Sequence, residues 1–492
     1  MPGNHPIVVR VSTVPLPPHD PLELYARLRA GRTADDGYLF ENLSDDEEDR
    51  DGAVVGYGRL CELRVYADHV EIGGAPALVA ALTARAREAG LSDTLEFTTP
   101  RQMWALLSAA QHLFALETDV PAAGFAFGFL TAFGYESAWH MEELPARGKT
   151  ARGPDIALTL FRDTVRYDRR TGSATLLRAE SPAFPPRRGP DATVLAAQAT
   201  PAGPVPDAPP PVDVRDTLTR EEFLTWAERC LAHIGVGDIY QIQIGHRIDV
   251  ESALTPVDVY RRLRARNPSP HMYLLPRAGG APDAALVGAS PELFFRVDGD
   301  RIVMRPIAGT APRGPDEEEN QRRVKELVAC PKEQAEHIML VDLCRNDVGR
   351  ISTDSTMPVD RLMAVETFSH VYHLVSTVSG TLAPGTDVWR AVRATFPAGT
   401  MTGAPKVRAM EIVDDLEHEA RGAYAGAVGL VDVRGWSELA LCIRTVEYDG
   451  RRYSTQSSAG MVAQSDPESE WRETLAKMGA AHWALTGEEL LK

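Results

Sequence analysis

The sequence reads as an α+β fold, and three observations carry that reading. Strand-like segments recur at 54–64, 157–167 and 237–250. Amphipathic segments at helical spacing lie at 219–234, 330–350 and 466–485. A proline-rich stretch at 181–213 separates two such halves.

Composition sets the outer limits. The chain has 492 residues, 44% of them hydrophobic, so it can bury a large core and has length for two to four domains. It carries 52 Lys and Arg against 69 Asp and Glu, a net charge of −17. With no basic stripe to release counterions, no nucleic-acid partner is expected. Cys61, Cys230, Cys330, Cys344 and Cys442 are widely spaced with no CxxC, which points away from a disulfide framework or zinc site. No apolar run reaches membrane-spanning length, and MPGNHPIVVR lacks a signal-peptide core. The expectation is a soluble cytoplasmic protein with no membrane association.

Taken in order, 21–30 reads as a short helix, 54–64 as a strand, 76–89 as an Ala-rich helix and 157–167 as a strand. The acidic run DDEEDRD at 45–51 reads as a solvated loop. AGFAFGFLTAFGYESAW, 123–139, is apolar and glycine-punctuated, a pattern of closely packed strands and turns rather than a helix. The 181–213 stretch holds too much proline and too few aromatics for a packed core, and reads as an extended linker or surface connection. It divides an N-terminal region, 1–180, from a C-terminal region, 214–492.

The C-terminal region opens with Thr219 and Glu222, spaced as a capping box, followed by an apolar helical stripe of Phe223, Trp226, Ala227, Cys230, Leu231 and Ile234. In the strand GDIYQIQIGHRIDV, Tyr240, Ile242, Ile244 and Ile248 fall on one face; Gln241 and Gln243 fall on the other, a solvent face by alternation alone. GASPE turns at 288–291, setting Glu292 beside Leu293 and Phe294, where desolvation raises a carboxyl pKa. FPAGTMTGAPK, 396–406, is a glycine-rich loop leading into a helix at 407–416.

Two helices carry the chemistry. In CPKEQAEHIMLVDLCRNDVGR, 330–350, Pro331 suits a first helical position, and Ala335, Ile338, Met339 and Leu343 form the expected apolar face. Glu333 and Glu336 lie a turn apart on one face. In DPESEWRETLAKMGAAHWAL, 466–485, Asp466 caps and Pro467 starts the helix; Trp471, Leu475, Met478 and Leu485 make the buried stripe, with Glu470, Glu473 and Lys477 beside it. One carboxylate pair is commonly just a solvated surface. Two helices with i, i+3 carboxylates suggest a shared Mg²⁺ site, since this ion takes hard oxygen ligands and bridges to anionic substrates.

GASPE, RPIAGTAPRG, KEQAEHIMLVDLCRNDVGR, FPAGTMTGAPK and DPESEWRETLAK, in this order between about 219 and 478, closely resemble the chorismate-utilising enzymes, above all the large subunit of anthranilate synthase. The resemblance implies a large two-layer antiparallel β-sheet sandwich with helices on the outside. It implies Mg²⁺ held by Glu336 and Glu473 with help from Glu333 and Glu470, and Glu292 as general acid for the departing ring hydroxyl. It places Gly309, Thr310, Thr400, Tyr424, Arg444, Gly460 and Lys477 around the substrate and links His373 to pyruvate elimination. A lone histidine among Val and Leu would otherwise read as a core residue.

Gln241 occupies the position where isochorismate and salicylate synthases carry a water-activating lysine. A neutral amide cannot act as that base, so the expected nucleophile is ammonia. Ala308 stands where many aminodeoxychorismate synthases carry lysine, which favours ortho amination, and Ala311 replaces an arginine common in this motif. With no amidotransferase nucleophile elbow in the chain, ammonia is expected from a separate glutamine amidotransferase subunit. The implied product is 2-amino-2-deoxyisochorismate, followed by pyruvate loss to anthranilate; the alternative retains the enolpyruvyl group for a specialised pathway. A water-using isochorismate-type enzyme and a non-catalytic Mg²⁺-binding subunit are the other readings, opposed by Gln241 and by Glu292 respectively. Homo-oligomerisation is left open. In the N-terminal region, FGYESAW matches a Gly-Tyr segment of the family. YLFEN, 38–42, stands where tryptophan-regulated members carry Leu-Leu-Glu-Ser, so feedback inhibition by tryptophan is not expected.

Overall fold

Strands joined by short connections pair antiparallel throughout the described chain except Ile7–Leu16 with Phe114–Thr118, which run parallel. The computed structural model describes residues 5–30, 36–44, 51–187, 189, 191–199, 203–353, 359–368 and 371–491. From the long strand Ile156–Asp168 the sheet runs out in two limbs. One passes through Asp51–Val65, Gly37–Glu41, His271–Pro276, Ala285–Ser290, Thr445–Tyr448 and Tyr453–Met461 to Gln241–Glu251. The other passes through Gly128–Phe133, Ala427–Asp432, Ser437–Leu441, Leu293–Asp298 and Arg301–Met304 to Val371–Thr381.

Tyr38, Tyr273, Leu275 and Leu286 from the first limb share one buried cluster with Leu130, Val428 and Leu430 from the second. The limbs therefore stack as two layers, as expected of the α+β antiparallel fold. Helices Arg220–Gly235, Lys406–Leu416 and Pro467–Thr486 pack Phe223, Ile412 and Trp471 onto Ile242 and Ile244. Among the described residues no helix is long and apolar enough to cross a membrane.

The expected early elements appear as Pro21–Ala30, Asp51–Val65, Pro76–Glu88 and Ile156–Asp168. The segment 123–139 forms the strand Gly128–Phe133 and also a short 3-10 helix, Tyr135–His140. Apart from Asp51, the acidic run at 45–51 lies outside the described residues. Parts of the 181–213 stretch are described, and they pack locally. Phe184 stacks on Phe127, and Asp191 caps the five-residue helix Ala192–Ala196, whose end alanines are buried.

Three sequence expectations about faces and turns are corrected. In the helix Pro331–Gly349 the buried side is His337, Leu340, Val341, Cys344, Asp347 and Val348, while Ala335 and Ile338 are exposed. An apolar count missed this because two of the buried residues are polar and partnered: His337 Nε2 with Ser376 Oγ at 2.6 Å, Asp347 with Lys406 Nζ at 3.1 Å. Tyr240 precedes its strand and is 69% exposed. Gly288 lies inside Ala285–Ser290, where a Cβ would come 2.1 Å from the Tyr273 ring, and the chain turns at Pro291 and Glu292 instead.

Candidate active site

Glu292 sits between the strands Ala285–Ser290 and Leu293–Asp298, with its carboxyl turned inward and buried. The Thr400 hydroxyl donates to Glu292 Oε1 at 3.3 Å. Burial pushes this carboxyl up to about 8, against the pull of Thr400 and Lys477, so it holds a proton at neutral pH. Thr400 comes from the glycine-rich loop, which forms a short 3-10 turn, Gly399–Met401, and a bridge from Gly403–Ala404 to Gln241 and Ile242. Gly399 packs against Leu343 of the first acidic helix, where a Cβ would approach to 2.9 Å. At the far end of the loop Lys406 Nζ donates to both Asp347 oxygens and to Thr395 O, each at 3.1 Å. This pair ties the loop to the acidic helix.

The face of Gln241–Glu251 expected to meet solvent is instead internal. Gln241 and Gln243 are both buried, beside the neighbouring strand Tyr453–Met461. Gly460 lies directly beneath: a Cβ there would stand 2.9 Å from Gln243 Nε2 and 3.1 Å from Gln241 Nε2. Gln243 Oε1 accepts from Ser458 Oγ at 2.9 Å, and Ser458 Oγ lies 2.5 Å from the Tyr424 hydroxyl. Gln241 Oε1 is a buried acceptor with no hydrogen-bond partner among the described residues. Such an orphan acceptor costs free energy unless a ligand supplies a donor.

His373, on Val371–Thr381, stands opposite Thr310 of Ile307–Pro312. Its Nδ1 lies 3.0 Å from Gly309 O and 3.1 Å from Thr310 Oγ1. Burial, helped by Arg444 and Lys477, pushes the ring down to about 4, so it is neutral at pH 7. With Nδ1–H donating to Gly309 O, Nε2 carries the free lone pair. Gly309 adopts φ +74°, and a Cβ there would meet Leu374 and, at 3.3 Å, Glu333 Oε2. Only glycine suits that conformation and that approach.

Glu333 thus brings the first acidic helix against the strand Ile307–Pro312. The second acidic helix, Pro467–Thr486, capped by Asp466, faces it. Burial raises Glu336, and Glu333, Glu470 and Glu473 push it further up while Lys332 draws it down. Burial likewise raises Glu470, aided by Glu473. Glu473 moves the other way: burial raises it, but Lys477, 2.6 Å away, with Arg444 and Lys332, brings it below the usual range. Among the described residues no three ligating side chains are drawn close enough to hold a metal ion. Lys477 also donates to Ser458 O at 2.9 Å, and its charge reaches Glu292 and His373. Arg444 adopts φ +51°, a strained conformation for a side-chain-bearing residue. Its charge is felt at His373, Tyr424 and Glu473.

The fold therefore brings the expected positions into one neighbourhood, with Lys477 and Arg444 at its centre. Reading the sequence missed its main support, Arg421. Arg421 is 1% exposed, pairs with Glu417 at 2.7 Å, and donates to Met401 O at 3.0 Å and Gln243 O at 2.8 Å. Its guanidinium lies over the rings of Tyr135 and Tyr424. The glycine-rich loop, the glutamine strand and Tyr424 thus share one buried cation. Glu136 of the N-terminal region accepts from Arg421 N at 2.9 Å and Gly422 N at 3.1 Å, so both regions build this wall. The i, i+4 spacing of Glu417 and Arg421 was the available signal.

With this architecture in place, the chain's membership is plain: residues 75–482 match the chorismate binding enzyme family, and the protein belongs to it. Among its relatives is the 2-amino-4-deoxychorismate synthase of Streptomyces globisporus, 46% identical over 99% of this chain and 98% of the relative. The anthranilate synthase component 1 of Streptomyces coelicolor is 41% identical over 76% of each chain. The crystal structure of anthranilate synthase component I from Streptococcus pneumoniae superposes with a TM-score of 0.70 at 28% identity, covering 87% of this chain and 91% of that one.

Proposed function

We propose that this enzyme adds ammonia to C2 of chorismate with loss of the 4-hydroxyl, and releases 2-amino-2-deoxyisochorismate with its enolpyruvyl group intact. That compound and 2-amino-4-deoxychorismate are one molecule named from two parents, and the relative similar over its whole length carries the second name. The observation that carries the amination chemistry is Glu292, a buried carboxyl held protonated near neutrality and oriented by Thr400.

Arg444 and Lys477 provide the positive charge for the substrate's carboxylates. Ammonia donates an N–H to the orphan Gln241 oxygen, which leaves its lone pair free for C2. As the C2–N bond forms, the ring double bonds shift and the C4–O bond breaks. Glu292 gives its proton to the departing hydroxyl, which leaves as water, and is reprotonated by the new ammonium group. Gln241 cannot deprotonate water, which disfavours the isochorismate reaction. Neutral His373 has a free Nε2 and is the candidate base for the second reading, pyruvate elimination to anthranilate.

The acidic helices fit a hard dication. Glu333, Glu470 and Glu473 each push Glu336 upward, a mutual repulsion among hard oxygen ligands that a dication would relieve. Glu333, Glu336, Glu470 and Glu473 would hold Mg²⁺, which when bound supplies Lewis-acid charge neutralisation at the ring carboxylate. Ammonia is drawn from a separate glutamine amidotransferase.

Mass analysis of the product from chorismate, Mg²⁺ and an ammonium salt tests the proposal. An aminated product retaining the three-carbon side chain is expected. Anthranilate with free pyruvate would transfer the assignment to the second reading, and isochorismate would overturn both.

A further inference from the structure

Lys332 stands in the first turn of the helix Pro331–Gly349, directly after Pro331. A cation there opposes the partial positive charge of the helix N-terminus. Its Nζ lies 3.8 Å from Glu336 Oε1, one turn along, and the side chain is 48% exposed. Its charge also reaches Glu470 and Glu473 on the facing helix. Lys477, the matching cation of the second acidic helix, is held differently. It lies 2.6 Å from Glu473, donates to Ser458 O at 2.9 Å, and is 28% exposed. Lys477 has a backbone anchor in the sheet. The interactions of Lys332 among the described residues are with carboxylates alone.

We propose that Lys332 is a displaceable counter-ion, which neutralises the carboxylates of the two acidic helices when they are empty and leaves when a divalent cation binds them. The proposal rests on the reading that these carboxylates are the metal site. Once a dication takes the carboxylates, Lys332 faces positive charge on two sides, the ion and the helix end, and water lies next to it. The side chain swings outward. Lys477 stays, because the Ser458 carbonyl holds it whether or not the site is filled. Lys332 thereby sets how tightly the ion is held without touching the substrate.

The test is calorimetric titration of the full-length protein with Mn²⁺ as probe, without chorismate, comparing wild type with Lys332→Gln and Lys332→Arg. At a half-exposed position both variants keep the fold, which circular dichroism checks. The expected result is a dissociation constant about three- to tenfold lower for Lys332→Gln at low ionic strength, narrowing as salt is added. Lys332→Arg should match wild type, and the KM for chorismate at saturating metal should not change in either variant. Wild type and Lys332→Gln binding Mn²⁺ equally would overturn the counter-ion role and leave the metal site standing. A raised chorismate KM with unchanged metal affinity would also overturn it, and would make Lys332 a substrate contact. A wild type that binds no Mn²⁺ would remove the metal reading and the counter-ion with it.

Discussion

The Thr400 hydroxyl donates to the Glu292 carboxyl across 3.3 Å, joining two segments 108 residues apart. That contact fixes the carboxyl's orientation, while burial fixes its proton.

The pH dependence follows. Burial raises Glu292 from an ordinary 4.5 to about 8 in the folded protein, so kcat/KM should fall as pH rises through about 8 and the acid is lost. The stability consequence has a definite sign. Unfolded, the group loses its proton above about 4.5, whereas the folded site retains it until about 8. Stability is therefore fully present below 4.5, falls across the interval, and is lowest above 8. Glu292→Gln should cut turnover by orders of magnitude. It should also melt at a higher temperature than wild type at pH 8.5, on the order of a few kcal/mol, with the gap closing toward pH 4.5. An unchanged gap across that range would contradict the assignment.

Removing either of the two carboxylates proposed to hold Mg²⁺ most directly should stop the reaction without unfolding the chain. Glu336→Gln and Glu473→Gln are each expected to lower turnover a hundredfold or more, roughly 3 kcal/mol of barrier, with unchanged circular dichroism. Near-normal activity of the wild type in EDTA would sink the metal assignment.

Gln241→Lys should redirect the nucleophile. A lysine in this buried position has its pKa lowered by desolvation and can act as a base toward water. The expected change is a higher ratio of isochorismate to aminated product, read by chromatography at fixed ammonium. A wild type that makes isochorismate faster than the amine would refute the argument.

Free tryptophan should not inhibit at micromolar concentration. Phe40 packs between Tyr38 and Tyr273, with ring centroids 5.8 and 6.1 Å away. Glu41 is already engaged, accepting from the Tyr260 hydroxyl at 2.6 Å and from Arg264 at 2.8 Å. Asn42 Oδ1 accepts from Ser44 N at 3.0 Å and Ser44 Oγ at 2.8 Å. An incoming amino acid would have to displace these partners, and unpaired buried charge costs several kcal/mol. An activity titration decides the point: micromolar inhibition would show that the altered segment still builds a tryptophan site.

Helices and strands with clear local signals could be read directly. The capping box of Thr219 with Glu222, the Asp466–Pro467 start and the alternation of Ile242, Ile244 and Ile248 each describe interactions within a few residues. Such interactions depend on near neighbours, so their pattern survives in one dimension. The two carboxylate pairs were legible for the same reason, being a turn apart on their own helices. Which way an element faces was not. Gln241 and Gln243 alternate as a solvent face, yet both are buried, and Gln243 is bonded to Ser458, a residue 215 positions along the chain. The helix Pro331–Gly349 buries His337 and Asp347 while exposing Ile338, because Ser376 and Lys406 arrive from distant segments to satisfy them. The i, i+4 spacing of Glu417 and Arg421 shows that a pair can form, but not that its cation ends over the Tyr424 ring and holds the glycine-rich loop to the glutamine strand. Sequence by itself determined what each segment can form and which chemical groups it carries. Tertiary structure alone decided which of those groups leave water, because desolvation and long-range partners are set by whatever packs against a residue, however far along the chain it comes from.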